Sequence, residues 1–226
     1  MSAPESNTRR LGRVPRLYAL VDHDAYAPRA LDEVAAELAQ AGVEWIQLRV
    51  KSLRDRELFG IVEATVRRLE ATGARLWIDD RADVAACFGT GVSGVHLGER
   101  DLPPAAARLF LDPKTWIGAS THDLERAAAA DADPAVDLVA VGPIFATTSK
   151  DRPDPVVGLE LVRRVRHLIR KPLVAIGGID QANAAAVIEA GADAVAVIGA
   201  LARHGSPASA ARDLLAALPA AEARTF

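Results

Sequence analysis

The chain has 226 residues, half of them hydrophobic and a quarter charged, with a formal net charge of −3. This is the composition of a folded globular protein, and its nearly balanced charge excludes a global attraction to nucleic acid or to an anionic membrane surface. A single cysteine, Cys87, excludes an intrachain disulfide and a thiolate metal cage.

The opening residues, MSAPESNTRRLGR, lack the apolar core of a signal peptide, and no apolar stretch reaches the length of a membrane span. The reading is a disordered tail over 1–14, a single domain over 15–220, and a cytoplasmic protein. From there, short apolar runs rich in β-formers recur at 16–22, 43–49, 75–80, 94–98, 115–120, 136–142, 172–178 and 193–199. Ala- and Leu-rich amphipathic stretches follow them near 29–41, 53–72, 81–87, 103–110, 122–131, 158–169, 180–190 and 206–218. Strict strand–helix alternation predicts parallel pairing through βαβ crossovers, and eight such units predict a closed (β/α)8 TIM barrel, a fold of about 250 residues. A doubly wound open sheet is the alternative. The Ala-Gly pairs at 41–42 and 190–191 read as helix ends, where glycine accepts the left-handed conformation. Cys87, after the apolar Val84-Ala85-Ala86, reads as packing.

In such a barrel the chemistry lies at the C-terminal ends of the strands. At the second, alternation puts Gln47, Arg49 and Lys51 on one face, which makes either a phosphate clamp or a solvated end paired with surface acids. The third ends in Asp79-Asp80-Arg81, read as a helix cap or as part of a hard-metal site. The fourth carries His96, read as a packed, hydrogen-bonded core histidine, and ends near Asp101. Asp101 either starts the next helix or joins Asp80, from the neighbouring strand end, on one cation. Ser120 and Thr121 end the fifth strand as ligand contacts or as caps. The sixth leads into a long Pro-rich loop, 146–157, which carries Thr147, Ser149 and Lys150 and reads as a lid or a spacer. The seventh and eighth end in Gly177-Gly178-Ile179 and Ile198-Gly199-Ala200, a place where this fold recurrently holds phosphate. The pattern is that of two anion grips and one carboxylate pair.

The segments IQLRVK (46–51), WIDDR (77–81), GVHLGERDLP (94–103), IGASTH (117–122), VGPIFATTSK (141–150), VAIGGI (174–179) and GADAVAVIGAL (191–201), in this order, resemble the thiamine phosphate synthase family. The resemblance implies a Mg2+-dependent barrel transferase that joins an aminopyrimidine methyl diphosphate to a thiazole phosphate and releases pyrophosphate. It implies that Gln47, Arg49, Lys51, Ser120 and Lys150 hold the diphosphate, with Arg49, Lys51, Ser120 and Lys150 catalytic. It further implies that Asp80 and Asp101 bind Mg2+, and that Thr147, Ser149, Gly178, Ile198 and Gly199 line the thiazole phosphate. Its partners would be these small molecules, without nucleic acid or membrane, and homo-oligomerisation is left open. The chain departs from the family at Val50, where an acid is usual, at Asp79, where asparagine is usual, and at Gly199, where serine is usual. Val50 should point away from the clamp. Asp79, counted with the substrate-binding residues, has three courses: to pair with a cation such as Arg81, to join Asp80 on the metal, or to repel the diphosphate; the favoured reading is a supporting role near the metal. The rival readings are a thiazole tautomerase of the same superfamily, with His122 as the proton-transfer residue, and a non-catalytic ligand-binding barrel.

Overall fold

Each apolar run forms a strand: β1 Leu17–Asp22, β2 Trp45–Arg49, β3 Arg75–Asp79, β4 Gly94–Leu97, β5 Trp116–Thr121, β6 Leu138–Val141, β7 Leu173–Ile176 and β8 Ala194–Val197. The computed structural model describes residues 13–147, 155–203 and 205–220. Neighbouring strands pair in parallel in sequence order, and β8 closes on β1 through Leu17↔Val195. The open-sheet alternative is thereby set aside. Most of the expected tail, up to residue 12, lies outside the described residues, whereas Val14 is buried against the barrel interior.

The expected crossover helices are α2 Leu31–Gln40, α3 Asp55–Leu69, α4 Ala82–Ala86, α5 Pro104–Ala107, α6 Leu124–Ala132, α7 Gly158–Leu168, α8 Ala184–Glu189 and α10 Pro207–Ala217. Two short helices were not expected from the sequence: α1, His23–Tyr26, and α9, Gly199–Ala202. Each is a single turn, too short to show a hydrophobic period. The glycines after α2 and α8 do end helices, with Gly42 at φ 96° and Gly191 at φ 111°. No helix among the described residues is long and apolar enough to cross a membrane.

Two shells of apolar packing follow from strand alternation. Outward-facing residues such as Leu17, Ile46, Leu76, Val95 and Val139 meet the helices through Leu38, Val62, Leu69 and Val162. Val50 packs on this outer shell, pointing away from the clamp as expected. Inward-facing Tyr18, Trp45, Trp77 and Trp116 fill the base of the barrel, with contacting ring centroids 5.0 to 5.8 Å apart. Cys87 departs from its expected packing role. It is exposed, because burial in and after α4 follows Ala82 and Ala85 and leaves Cys87 on the solvent side. Its Sγ donates weakly to Asp83 O at 3.4 Å.

The indole of Trp77 occupies the space beside Gly94, where a Cβ would lie 2.4 Å from a ring carbon. Gly94→Ala should therefore destabilise the fold by about 1–3 kcal/mol, since overpacking here must move a ring held by three others. Thermal or denaturant unfolding checks this, and an unchanged midpoint would show that the aromatic base is looser than described.

Candidate functional site

Above the aromatic base the inward positions become polar. Gln47 and Arg49 of β2, Asp79 of β3, His96 of β4 and Ser120 of β5 line a cavity of about 510 Å³ at the C-terminal ends of the strands. Lys51, Asp80, Asp101, Thr147, Gly178, Ile198 and Gly199 also line it. The described members of the expected site thus share one mouth. Ser149 and Lys150, and with them most of the expected lid, lie outside the described residues.

At the floor, the Gln47 amide donates to the Tyr18 hydroxyl at 2.8 Å. Arg49 pairs with Asp22, and its Nε lies 3.5 Å from Asp79 Oδ2. Lys51 bridges Asp79, at 3.0 Å, and Asp80. The clamp cations are therefore neither bare nor paired with outer surface acids; they are neutralised by carboxylates inside the mouth. Partial burial acts to lower the Lys51 ammonium, but the charge of Asp79 and the contacts to Asp80 outweigh it, and its pKa is raised. Burial, followed by the charge of Asp80, pushes the Asp79 carboxyl up to about 6 against the pull of Lys51 and Arg49.

Asp79 does not pair with Arg81. The Arg81 guanidinium is engaged by Asp83 and Asp55, at 2.7 and 2.8 Å. The capping readings at the strand ends also fall away. The N-cap of α4 is Arg81, without a side-chain cap, and α5 begins after Pro103. α6 is capped by Asp123, which accepts from Arg126 N at 2.8 Å, not by Ser120 or Thr121. Ser120 Oγ instead lies 2.9 Å from His96 Nε2, and Thr121 donates to Ala140 O.

Alternation alone would turn Asp80 outward. Its backbone is left-handed, at φ 61°, the one positive value among described non-glycine residues. That conformation costs about 1–3 kcal/mol and clusters at functional sites. Here it ends β3 and keeps the Asp80 carboxylate on Lys51 inside the mouth. Asp101 reaches the same place from the loop after β4, held by the Gly98 N–H at 2.7 Å. Burial raises the Asp101 pKa; the Gly98 N–H opposes this, and the Asp80 carboxyl, within hydrogen-bonding reach, adds to it. Across the mouth, Gly178 adopts φ 63°, and a Cβ there would lie 2.4 Å from Ala146 O, so the β7 loop passes the β6 loop with glycine alone between them.

Three contributors were missed in the sequence. Asp22 ends the apolar β1 run, and its inward phase with Tyr18 and Leu20 was the available signal. His96 is a packed, hydrogen-bonded histidine, as read, yet it faces the cavity and holds Ser120. Arg203 lies beyond β8, at the C-terminal cap of the unforeseen α9, and lines the mouth.

A closed eight-strand barrel with a charged, strand-end mouth of this kind is an enzyme scaffold of the (β/α)8 class. The thiamine monophosphate synthase family matches residues 17–201 of the chain. A thiamine-phosphate synthase from Koribacter versatilis is 47% identical over 190 residues, 82% of this chain and 88% of that protein. One from Methanoculleus marisnigri is 42% identical over 207 residues, covering 92% and 97%. The solved thiamine phosphate pyrophosphorylase from Pyrococcus furiosus superposes with a TM-score of 0.79 at 31% identity, covering 89% of this chain and 94% of that one. The chain belongs to the thiamine monophosphate synthase family, whose members are transferases.

The buried Asp22–Arg49 pair makes a separable prediction. Asp22 also caps α1, accepting from Ala25 N at 3.0 Å. Asp22→Asn keeps a capping side chain but removes the charge, leaving Arg49 with Asp79 alone. Stability should fall by about 1–3 kcal/mol in denaturant unfolding, the scale of a partly compensated buried charge. No loss would mean that Asp79 fully replaces it.

Proposed function

We propose that the chain is a thiamine phosphate synthase, joining an aminopyrimidine methyl diphosphate to a thiazole phosphate with release of pyrophosphate. The observation that carries this reading is the convergence of Arg49, Lys51, Ser120, Asp80 and Asp101 on one mouth, in a chain whose relatives bear that name. Arg49, Lys51 and Ser120, with Lys150 from the long loop, hold the diphosphate and stabilise the charge it gains as it leaves. Gln47, held by Tyr18, shapes the floor for the pyrimidine. Thr147, Ser149, Gly178, Ile198 and Gly199 receive the thiazole phosphate. The reaction needs no strong base, because the thiazole nitrogen is itself the nucleophile.

Enzymes of this family use a divalent metal, and the donor set fits one. Asp80 and Asp101 offer hard oxygen donors within hydrogen-bonding reach of each other, and the Asp80 carboxyl adds to burial in raising the Asp101 pKa, a conflict that a cation would relieve. No group of three or more acidic, His or Cys side chains suited to a metal occurs among the described residues. Two carboxylates completed by substrate oxygens and water match the habit of Mg2+. The bound metal would neutralise diphosphate charge. Asp79 supports this arrangement from beneath, orienting Arg49 and Lys51. His122, whose Nδ1 donates to Gly142 O at 2.7 Å, also lines the mouth and keeps the tautomerase reading testable.

One assay separates the readings: pyrophosphate release from the two substrates with Mg2+. EDTA should abolish turnover and excess Mg2+ restore it, whereas full activity in chelator would sink the synthase assignment. Asp101→Ala should weaken metal-dependent diphosphate binding while sparing thiazole phosphate binding, and equal loss of both would indicate misfolding instead.

Asp79→Asn should retain the fold and stay within about tenfold of the parent activity, about 1.4 kcal/mol in the barrier. An amide oxygen can still accept from Lys51. A thousandfold loss would show that the carboxylate itself takes part.

A further inference from the structure

The cations that line the mouth among the described residues are not equivalent. Arg49 and Lys51 are committed to Asp22, Asp79 and Asp80, and Arg100 flanks the same acidic side beside Asp101. Arg203 lies at the end of α9, and no described carboxylate pairs with it. It can take an anion without giving up an ion pair.

Its position depends on Gly199. Arg203 Nε donates to Gly199 O at 3.1 Å, which tethers the head of the side chain back over the loop after β8. A Cβ on Gly199 would lie 2.6 Å from Arg203 Nη2 and 3.2 Å from Nε. The guanidinium therefore occupies space that any larger residue at position 199 would take. With Nε used by the tether, the terminal amino groups remain to meet a ligand. A guanidinium presents planar paired donors that match phosphate oxygens, and it keeps its charge at every working pH.

We propose that Arg203, admitted by Gly199, binds the phosphate of the thiazole substrate and makes the site selective for the phosphorylated acceptor. This rests on the synthase reading for the identity of the ligand, while the residue and its dependence on Gly199 come from the geometry of this chain. The anion is assigned to this side because the opposite wall already concentrates Asp79, Asp80 and Asp101 around the diphosphate site.

The test is calorimetric titration of the full chain with thiazole phosphate and with the corresponding unphosphorylated thiazole alcohol, alongside steady-state pyrophosphate release. Arg203→Ala should weaken thiazole phosphate binding by about tenfold or more, the worth of a charge-assisted hydrogen bond, while binding of the alcohol and KM for the diphosphate stay within about twofold. Gly199→Ala should displace the guanidinium and weaken thiazole phosphate binding in the parent chain, but add no further loss to Arg203→Ala, because the two changes remove one interaction. Arg203 is exposed, so unfolding midpoints should not move. Unchanged thiazole phosphate binding in Arg203→Ala, or an equal loss for both thiazoles, overturns the proposal. A parent chain that binds thiazole phosphate through Arg203 but releases no pyrophosphate would remove the synthase reading alone. A parent chain that turns over while Arg203→Ala binds normally would remove the role of Arg203 alone, and a parent chain that binds no thiazole phosphate would remove the proposal itself.

Discussion

Closure of eight parallel strands in one register is the constraint from which the other features descend. Because side chains alternate along a strand, pairing β8 with β1 commits every second residue of all eight strands to a shared interior. Three tryptophans and Tyr18 fill its lower part, with Gly94 making room for Trp77. The next inward positions are Gln47, Arg49, Asp79, His96 and Ser120, and they meet above that base because the register leaves them no other direction. The mouth is thus built largely on strand ends, with an aromatic floor that limits how far those ends can shift.

Electrostatics at the mouth is a matter of exchange rather than of excess positive charge. The two cations at the end of β2 arrive already paired with Asp22, Asp79 and Asp80. On the proposed function, a diphosphate entering this site would meet cations that are already paired, and a cation that takes over Asp80 and Asp101 would accompany it. Asp79, where the resemblance led to an expectation of asparagine, is accommodated because its carboxylate serves as the inner partner of Arg49 and Lys51, while Arg81 is occupied elsewhere by Asp55 and Asp83. Gly199, where the resemblance led to an expectation of serine, is likewise coupled to a neighbour, the Arg203 guanidinium. Both departures therefore sit in compensated surroundings.

Most of this was legible along the chain, because it rests on period and punctuation. Strand–helix alternation reports crossover connections, so the eight units and their parallel order could be read before any contact was known. The period of two within β2 correctly grouped Gln47, Arg49 and Lys51 and turned Val50 away. Local rules misled where two readings share one signature. Asp79, Asp101 and Ser120 all look like helix caps in sequence, yet α4 and α5 have no side-chain cap and α6 takes its cap from Asp123. Cys87 looked packed because its predecessors are apolar, but burial on a helix follows angular phase rather than adjacency.

What the sequence determined by itself was the barrel, the strand ends at which its chemistry lies, and the residue types gathered there, since these follow from periodicity that each segment carries alone. What only the tertiary structure decided was partnership. The pairing of Asp22 with Arg49, the left-handed turn that keeps Asp80 inside, the contact of His96 with Ser120, and the lodging of Arg203 against Gly199 join residues from different elements or break the local period. Charges choose partners by distance in three dimensions, and those distances exist only once the barrel has closed.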